Sequence, residues 1–218
     1  MKKIGILSPE NSWTRLHCLQ LKKELEARGY FVSYADSPKK LEEPLDVVCI
    51  LSYPRIVSAD FLNKHEHNLV AHSSALPSGR GWSPLNWQIL EGKNDIPVTL
   101  FEAEEELDSG VIYLQKYLKL EGHELLSEIL DMEGKLINEM IIEFLEDYDR
   151  VLKNAREQKG EATFYERRRP KDSRLDPYKT IADQFNLLRA VDNERYPAFF
   201  EYKGHKYILK IYKDESDE

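Results

Sequence analysis

The sequence predicts an α/β fold: a mostly parallel, Rossmann-like sheet with helices on both faces, plus a small C-terminal helix and β-hairpin extension. Three observations predict it. Short continuous apolar runs, Lys3–Leu7 and Asp46–Leu51, are separated by a segment of helical periodicity. Strands that are apolar throughout belong to sheets covered on both faces. Near residue 155 the composition turns strongly charged, and the chain then finishes in two strands around a Lys203-Gly204 turn. We therefore divide the chain into a main domain, 1–155, and an extension, 156–218. Its 218 residues are enough to bury most of the apolar surface without staples.

The elements follow in order. Lys3–Leu7, stopped by Ser8-Pro9, is a buried strand. A helix follows, with Asn11 or Ser12 as its N-cap and Gly29 just past its end. Tyr30–Tyr34 is the second strand, Asp36–Pro44 a loop, and Asp46–Leu51 the third strand. Asn68–Ala71 is the next strand, followed by a Gly/Pro/Ser-rich loop, His72–Trp82. Ser83 as N-cap and Pro84 at the first helical position open a helix that Gly92 closes. Val98–Ala103 and Val111–Tyr117 are strands around an acidic turn. Leu125–Leu152 is one long amphipathic helix, with Leu125, Ile129, Met132, Leu136, Met140, Phe144 and Tyr148 at helical spacing. In the extension, a helix at Lys179–Ala190 precedes strands at Phe199–Tyr202 and Lys206–Tyr212.

Composition excludes several function classes. A net charge of −8 disfavours broad nucleic-acid binding, which needs clustered Lys and Arg. No apolar run reaches membrane-spanning length, and residues 1–11 lack a signal-peptide pattern, so a soluble, cytoplasmic protein is expected. Cys18 and Cys49 sit among apolar residues and read as reduced core side chains. His65, His67 and His72 lack Cys or carboxylate partners at ligand spacing, so no metal is expected. The turn after the first strand has no GxGxxG, which disfavours a dinucleotide cofactor on the first helix.

Chemistry concentrates between Asn68 and Tyr113. His72 follows a buried strand directly, and ligands of open α/β sheets gather at the carboxyl ends of strands. A histidine there can act as general acid or base. Asp108 precedes a tight turn at Gly110 and can orient such a histidine or exchange protons with it. On residue type alone, a loop histidine and a turn-forming aspartate account for the pair more readily than a catalytic pair does.

The block His72-Ser-Ser-Ala-Leu-Pro77, followed by Asp108-Ser-Gly110, resembles the folate-dependent formyltransferase superfamily. The matching positions of its His-x-Ser-x-Leu-Pro motif are His72, Ser74, Leu76 and Pro77, and those of its Asp-x-Gly motif are Asp108 and Gly110. Ser52-Tyr-Pro-Arg-Ile-Val57 is similar to the family's loop beside the pterin ring. Arg167–Asp172, Leu175-Asp176, Asn186–Ala190 and Tyr196–Phe199 resemble the C-terminal part of nucleotide-sugar and methionyl-tRNA formyltransferases. The loop 79–92 is most similar to enzymes that formylate a 4-amino sugar on UDP in pseudaminic-acid pathways. One position departs: where the family has Asn two residues before the His, this chain has Val70. Loss of one oxyanion donor typically costs about 2.7–4 kcal/mol. Asn68, Ser73, Ser74 and Asn86 are the candidate replacements, with Ser74 and Asn86 preferred over Asn68, which lies further back along the strand.

The resemblance implies formyl transfer from N10-formyltetrahydrofolate to the amino group of a nucleotide-linked sugar, in a homodimer. His72 and Asp108 would handle the oxyanion and protons, assisted by Ser74 or Asn86. Arg55, Ile56, Val57 and Leu107 would line the folate site, although core packing explains the last three as readily. Arg80, Arg169, Arg174 and Arg189 would anchor a pyrophosphate, since guanidinium forks match phosphate oxygens. Trp82, Phe185 or Tyr196 would stack on the base, and Asn186 accompanies Arg189 on its helix. Two other readings stand beside this one. One is a methionyl-tRNA or glycinamide ribonucleotide formyltransferase. The other is an inactive folate- or sugar-binding module, which Val70 favours.

Overall fold

The computed structural model describes residues 2–214. Its centre is a six-stranded sheet. Strands β1 (Lys3–Leu7), β2 (Phe31–Ala35), β3 (Val47–Ile50) and β4 (His67–His72) are parallel. With α1 (Arg15–Ala27) and the short α2 (Ala59–Leu62) between them, these strands form the parallel half. After the two-residue β5 (Arg80–Gly81) and α3 (Pro84–Leu90), β6 (Asp95–Glu102) and β7 (Ile112–Lys119) join antiparallel. The strand order is β2-β1-β3-β4-β6-β7.

Alternation along the strands separates two cores. Ile4, Ile6, Val47, Cys49, Leu69, Val98 and Leu100 point to one face. They are covered by Leu21 and Leu25 of α1 and by Ile137, Met140 and Phe144 of α4 (Leu126–Glu146). Leu7, Val48 and Ile50 point to the other face, against Leu41, Leu45, Phe61 and Leu62. Gly5 keeps that second face open, because a Cβ there would lie 2.7 Å from Leu45 Cδ1. Each fully buried Leu or Ile contributes about 1.5–3 kcal/mol. Both cysteines are buried free thiols, and burial pushes both of them up, which keeps them inert.

The structure revises several element boundaries. Thr14, not Asn11 or Ser12, occupies the N-cap of α1. It makes no capping bond, because Ser8 and Ser12 hold its hydroxyl at 2.9 and 2.8 Å. Ser83 occupies the N-cap of α3 but adopts φ +51 and does not cap through its side chain. The loop 36–44 contains one 3₁₀ turn, Pro38–Lys40. The long helix breaks at Asp147, and α5 (Tyr148–Lys153) follows it. The helix expected over Lys179–Ala190 shrinks to a 3₁₀ turn, Ala182–Gln184, running into α6 (Phe185–Arg189). An unforeseen strand, β8 (Phe164–Tyr165), pairs with β5. The closing hairpin is β9 (Ala198–Tyr202) with β10 (His205–Leu209), so its second strand is shorter than expected. It packs with Leu175, Leu188 and Val191 into a cluster of its own. Among the described residues, no helix is long and apolar enough to cross a membrane.

Candidate active site

His72 is the last residue of β4. Beyond it the chain cannot continue as a strand, because Ser73–Gly79 turns sharply: the Ser74 N–H donates to His72 O at 2.9 Å and the Ser78 N–H to Ala75 O at 3.0 Å. Gly79, at φ +76, completes the return. Its carbonyl lies 2.8 Å from His72 Nε2. A carbonyl only accepts, so Nε2 carries the proton and donates it.

Asp108 arrives from the opposite side. The turn from Ala103 to Gly110 brings it up to His72 at φ +53, a left-handed conformation that Asp tolerates better than most residues. Its carboxylate is 3.9 Å from His72 Nε2, and both side chains are only 9% exposed. Oδ2 accepts the Gly81 N–H at 2.9 Å. The imidazole is thus oriented by the Gly79 carbonyl, and Asp108 stands at ion-pair rather than hydrogen-bond distance. Gly110 must be glycine, because a Cβ there would run into the Glu102 carbonyl.

Behind the loop lies a polar bracket. Gln88 Nε2 of α3 donates to Ser73 O at 2.5 Å, and Thr99 Oγ1 of β6 donates to Ser74 O at 2.6 Å. Ser73 Oγ donates to Glu133, a buried carboxyl on α4 that burial raises to about 7. Sequence reasoning missed Glu133, yet a signal existed. It lies four residues from both Ile129 and Ile137, on the apolar stripe of α4.

The candidates for replacing the missing asparagine differ in what they already bind. Asn68 gives its amide to Leu62 O at 3.0 Å. Ser73 is held by Glu133, and Asn86 donates to Ala190 O at 2.8 Å, joining α3 to the extension. Ser74 is 2% exposed, and its hydroxyl has no hydrogen-bond partner among the described residues. Val70 faces Leu76, Phe101 and Ile112, an apolar lining that supplies no donor.

Of the expected folate contacts, Ile56 is 72% exposed and Leu107 43% exposed, so core packing does not account for them. Arg55 is also exposed. Val57 and Ala103 pack against one cluster, which brings the loop 52–57 and the Asp108 turn to the same face of the sheet.

The four arginines expected to clamp a pyrophosphate are not brought together as a clamp. Arg80 is buried, with its guanidinium 2.9 Å from both Glu106 and Gln158. Arg189 is 1% exposed. It donates to Asn94 Oδ1 at 3.0 Å and faces Glu124 at 3.8 Å. Both side chains have internal partners, while Arg80 Nε and Arg189 Nε and Nη2 are buried with no hydrogen-bond partner among the described residues. Arg174 is exposed and pairs with Glu201 of the hairpin; Arg169 is exposed beside Pro170. Trp82 is exposed with the Arg167 guanidinium over its ring, and Tyr196 is also exposed. Phe185 packs into the hairpin cluster, and Asn186 is half-buried. A cavity of about 230 Å³ opens beside the loop, lined by Ser74, Ser78, Gly79, Gln88, Asp95 and Tyr165 among others. Among the described residues, no three His, Cys, Asp or Glu side chains group as a metal ion would require.

A family model described as formyl transferase matches residues 18–143. Methionyl-tRNA formyltransferase of Thermodesulfovibrio yellowstonii is 29% identical over 144 residues, which are 64% of this chain and 46% of that protein. The chain spans about half the length of the curated relatives it matches. Among solved structures, methionyl-tRNA formyltransferase from Clostridium thermocellum superposes with a TM-score of 0.82 at 23% identity, covering 100% of this chain and 96% of that one. A 4-N formyltransferase from Francisella tularensis superposes with a TM-score of 0.73 at 18% identity, covering 98% of each chain. At these identities the structural likeness concerns the fold.

Proposed function

The chain belongs to the formyl transferase family, and on that premise we propose that it moves a formyl group from N10-formyltetrahydrofolate onto the amino group of a nucleotide-linked 4-amino sugar. The observation that carries the transfer reading is His72 at the carboxyl end of β4, its Nε2 3.9 Å from the Asp108 carboxylate in a nearly enclosed site. The sugar acceptor rests on the similarity of the loop 79–92 to enzymes that formylate a 4-amino sugar.

The residues present fit a reduced folate. Ile56 and Leu107 hold large apolar side chains out of the surface on loops at one face of the sheet, which suits a flat ring. Bound there, the folate would supply the formyl carbon, carried on its N10. His72 holds a proton on Nε2, given to the Gly79 carbonyl in the resting site. The same proton can turn to an oxygen that gains negative charge at the formyl carbon. Ser74, whose hydroxyl has no hydrogen-bond partner among the described residues, takes the donor role that Val70 cannot fill. Asp108 accepts a proton from the incoming amine and returns it to the leaving nitrogen. On the acceptor side, Trp82 with Arg167 over its ring, together with Tyr196, offers exposed aromatic surface for a base.

A second reading has its own observation. Curated relatives that are 29% and 26% identical are named methionyl-tRNA formyltransferase, which favours a tRNA-borne amine. A mass-spectrometric transfer assay separates the two. It supplies N10-formyltetrahydrofolate with UDP- and dTDP-4-amino sugars, methionyl-tRNA and glycinamide ribonucleotide, with His72→Ala as control. Formylation of a sugar that disappears in the control establishes the proposal. Formylation of methionyl-tRNA alone replaces it with the second reading. Folate binding with no product on any of these acceptors points to a different amine acceptor or to a binding module, and Val70→Asn then tests whether position 70 is the cause.

We also propose that the chain is a homodimer through its hairpin. Tyr202 and Tyr207 are exposed on one face of it, beyond the part that packs against Leu175, Leu188 and Val191.

A further inference from the structure

Asp108 does not reach His72 by its own sequence alone. The turn that carries it is exposed at Glu104, Glu105, Glu106 and Leu107. It is tied down from outside by a segment far away in the chain. Arg156 pairs with Ile112 through two backbone hydrogen bonds, Ile112 N–H to Arg156 O at 2.8 Å and Arg156 N–H to Ile112 O at 3.0 Å. Two residues later the segment delivers Gln158. The Gln158 amide nitrogen donates to the Asp108 carbonyl at 2.8 Å and to the Gly110 carbonyl at 2.9 Å. Its amide oxygen accepts from Arg80 Nη2 at 2.9 Å. Arg80 in turn belongs to the loop that returns to His72, and its backbone N–H is held by Thr163 O at 2.9 Å.

One side chain therefore uses both amide protons and its oxygen to connect the Asp108 turn with the His72 loop. We propose that Gln158 is a positioning residue, whose amide fixes the Asp108 carboxylate against His72 and Gly81. This rests on the formyl-transfer reading for its consequence in catalysis, although the positioning itself does not. The geometry also says which bonds matter. A carboxylate at this position keeps the contact to Arg80 and loses both donors to the carbonyls of Asp108 and Gly110.

The test compares wild type with Gln158→Glu and Gln158→Met, the second keeping volume without polar atoms. Two measurements are made: steady-state formyl transfer, and amide hydrogen exchange at Gly81, whose N–H donates to Asp108 Oδ2. Both variants should lower kcat by about 10- to 100-fold, with KM for the folate within about threefold of wild type, because a small misplacement costs turnover. Gly81 exchange should accelerate at least about tenfold while the β1 amides stay protected. Gln158→Glu should also regain activity relative to wild type as pH falls, when its carboxyl gains a proton to donate, and Gln158→Met should not. Wild-type kcat and Gly81 exchange in Gln158→Glu would overturn the proposal, leaving the Arg80 contact as the only role. Exchange that rises equally in β1 would overturn it in favour of general stability. If wild type transfers no formyl group to any acceptor, the functional reading fails, and Gly81 exchange alone still decides the positioning.

Discussion

At the scale of single residues, His72, Asp108 and Ser74 have separable expected effects. His72→Ala and Asp108→Asn should each lower turnover by about 10²- to 10⁴-fold, with tetrahydrofolate binding by calorimetry retained. Ser74→Ala should lose about 10²- to 10³-fold if its hydroxyl serves the oxyanion, and almost nothing if another group does. Glu133 predicts a pH dependence of stability. Burial raises its carboxyl from 4.5 to about 7, so between those values the folded chain binds a proton that the unfolded chain has released. Stability therefore falls as pH rises through that window, by up to about 3 kcal/mol. Urea unfolding at about pH 5 and about pH 8 should show this loss in wild type and not in Glu133→Gln, which has no charge to bury. How far residues were legible follows the distance to their partners. His72 stood out because a strand end and a motif coincide there. Arg80 and Arg189 were read as phosphate anchors because Glu106, Gln158, Asn94 and Glu124, which neutralise or bind them, lie far away in the chain.

Elements were legible where their signal is local. β1 begins at Lys3 and ends at Leu7 as its apolar run and Ser8-Pro9 dictate. Periodicity ran straight through the break at Asp147, because Phe144 and Tyr148 keep the helical spacing on either side of it. β8 was invisible. Two residues in a charged segment carry no alternation, and only their partner makes them a strand. That pairing is close enough to be tested by one methyl group. Gly81 sits at φ +99, where an added Cβ would lie 2.6 Å from the Tyr165 carbonyl. Gly81→Ala should therefore lower stability by about 1–3 kcal/mol in thermal melts and disturb the N–H that Asp108 accepts.

At the scale of the whole molecule, a mostly parallel sheet covered on both faces was foreseeable from its continuous apolar strands, whereas the strand order and the joining of the extension to the main domain were not. Asn86 to Ala190, Arg189 to Asn94 and β8 to β5 all cross residue 155, the boundary we place on composition. The hairpin supplies the remaining prediction. Light scattering should give about twice the 25.5 kDa of one chain. Tyr202→Glu combined with Tyr207→Glu, two exposed residues on one face of the hairpin, should give single chains, while a monomeric wild type would remove the proposed interface.

The pairing of β5 with β8 also bears on the protein's own birth. A ribosome delivers the chain in order, and the six sheet strands are complete once Lys119 has emerged. At that moment His72 and Asp108 are both present, yet Gly79 N–H still lacks Thr163, Arg80 lacks Gln158, and Trp82 N–H lacks Tyr165 O. The nascent sheet is thus a vessel without its fastening. On the formyl-transfer reading, competence should arrive only when the segment 156–165 leaves the tunnel and closes over the loop, so chains stalled before that point should be folded but idle.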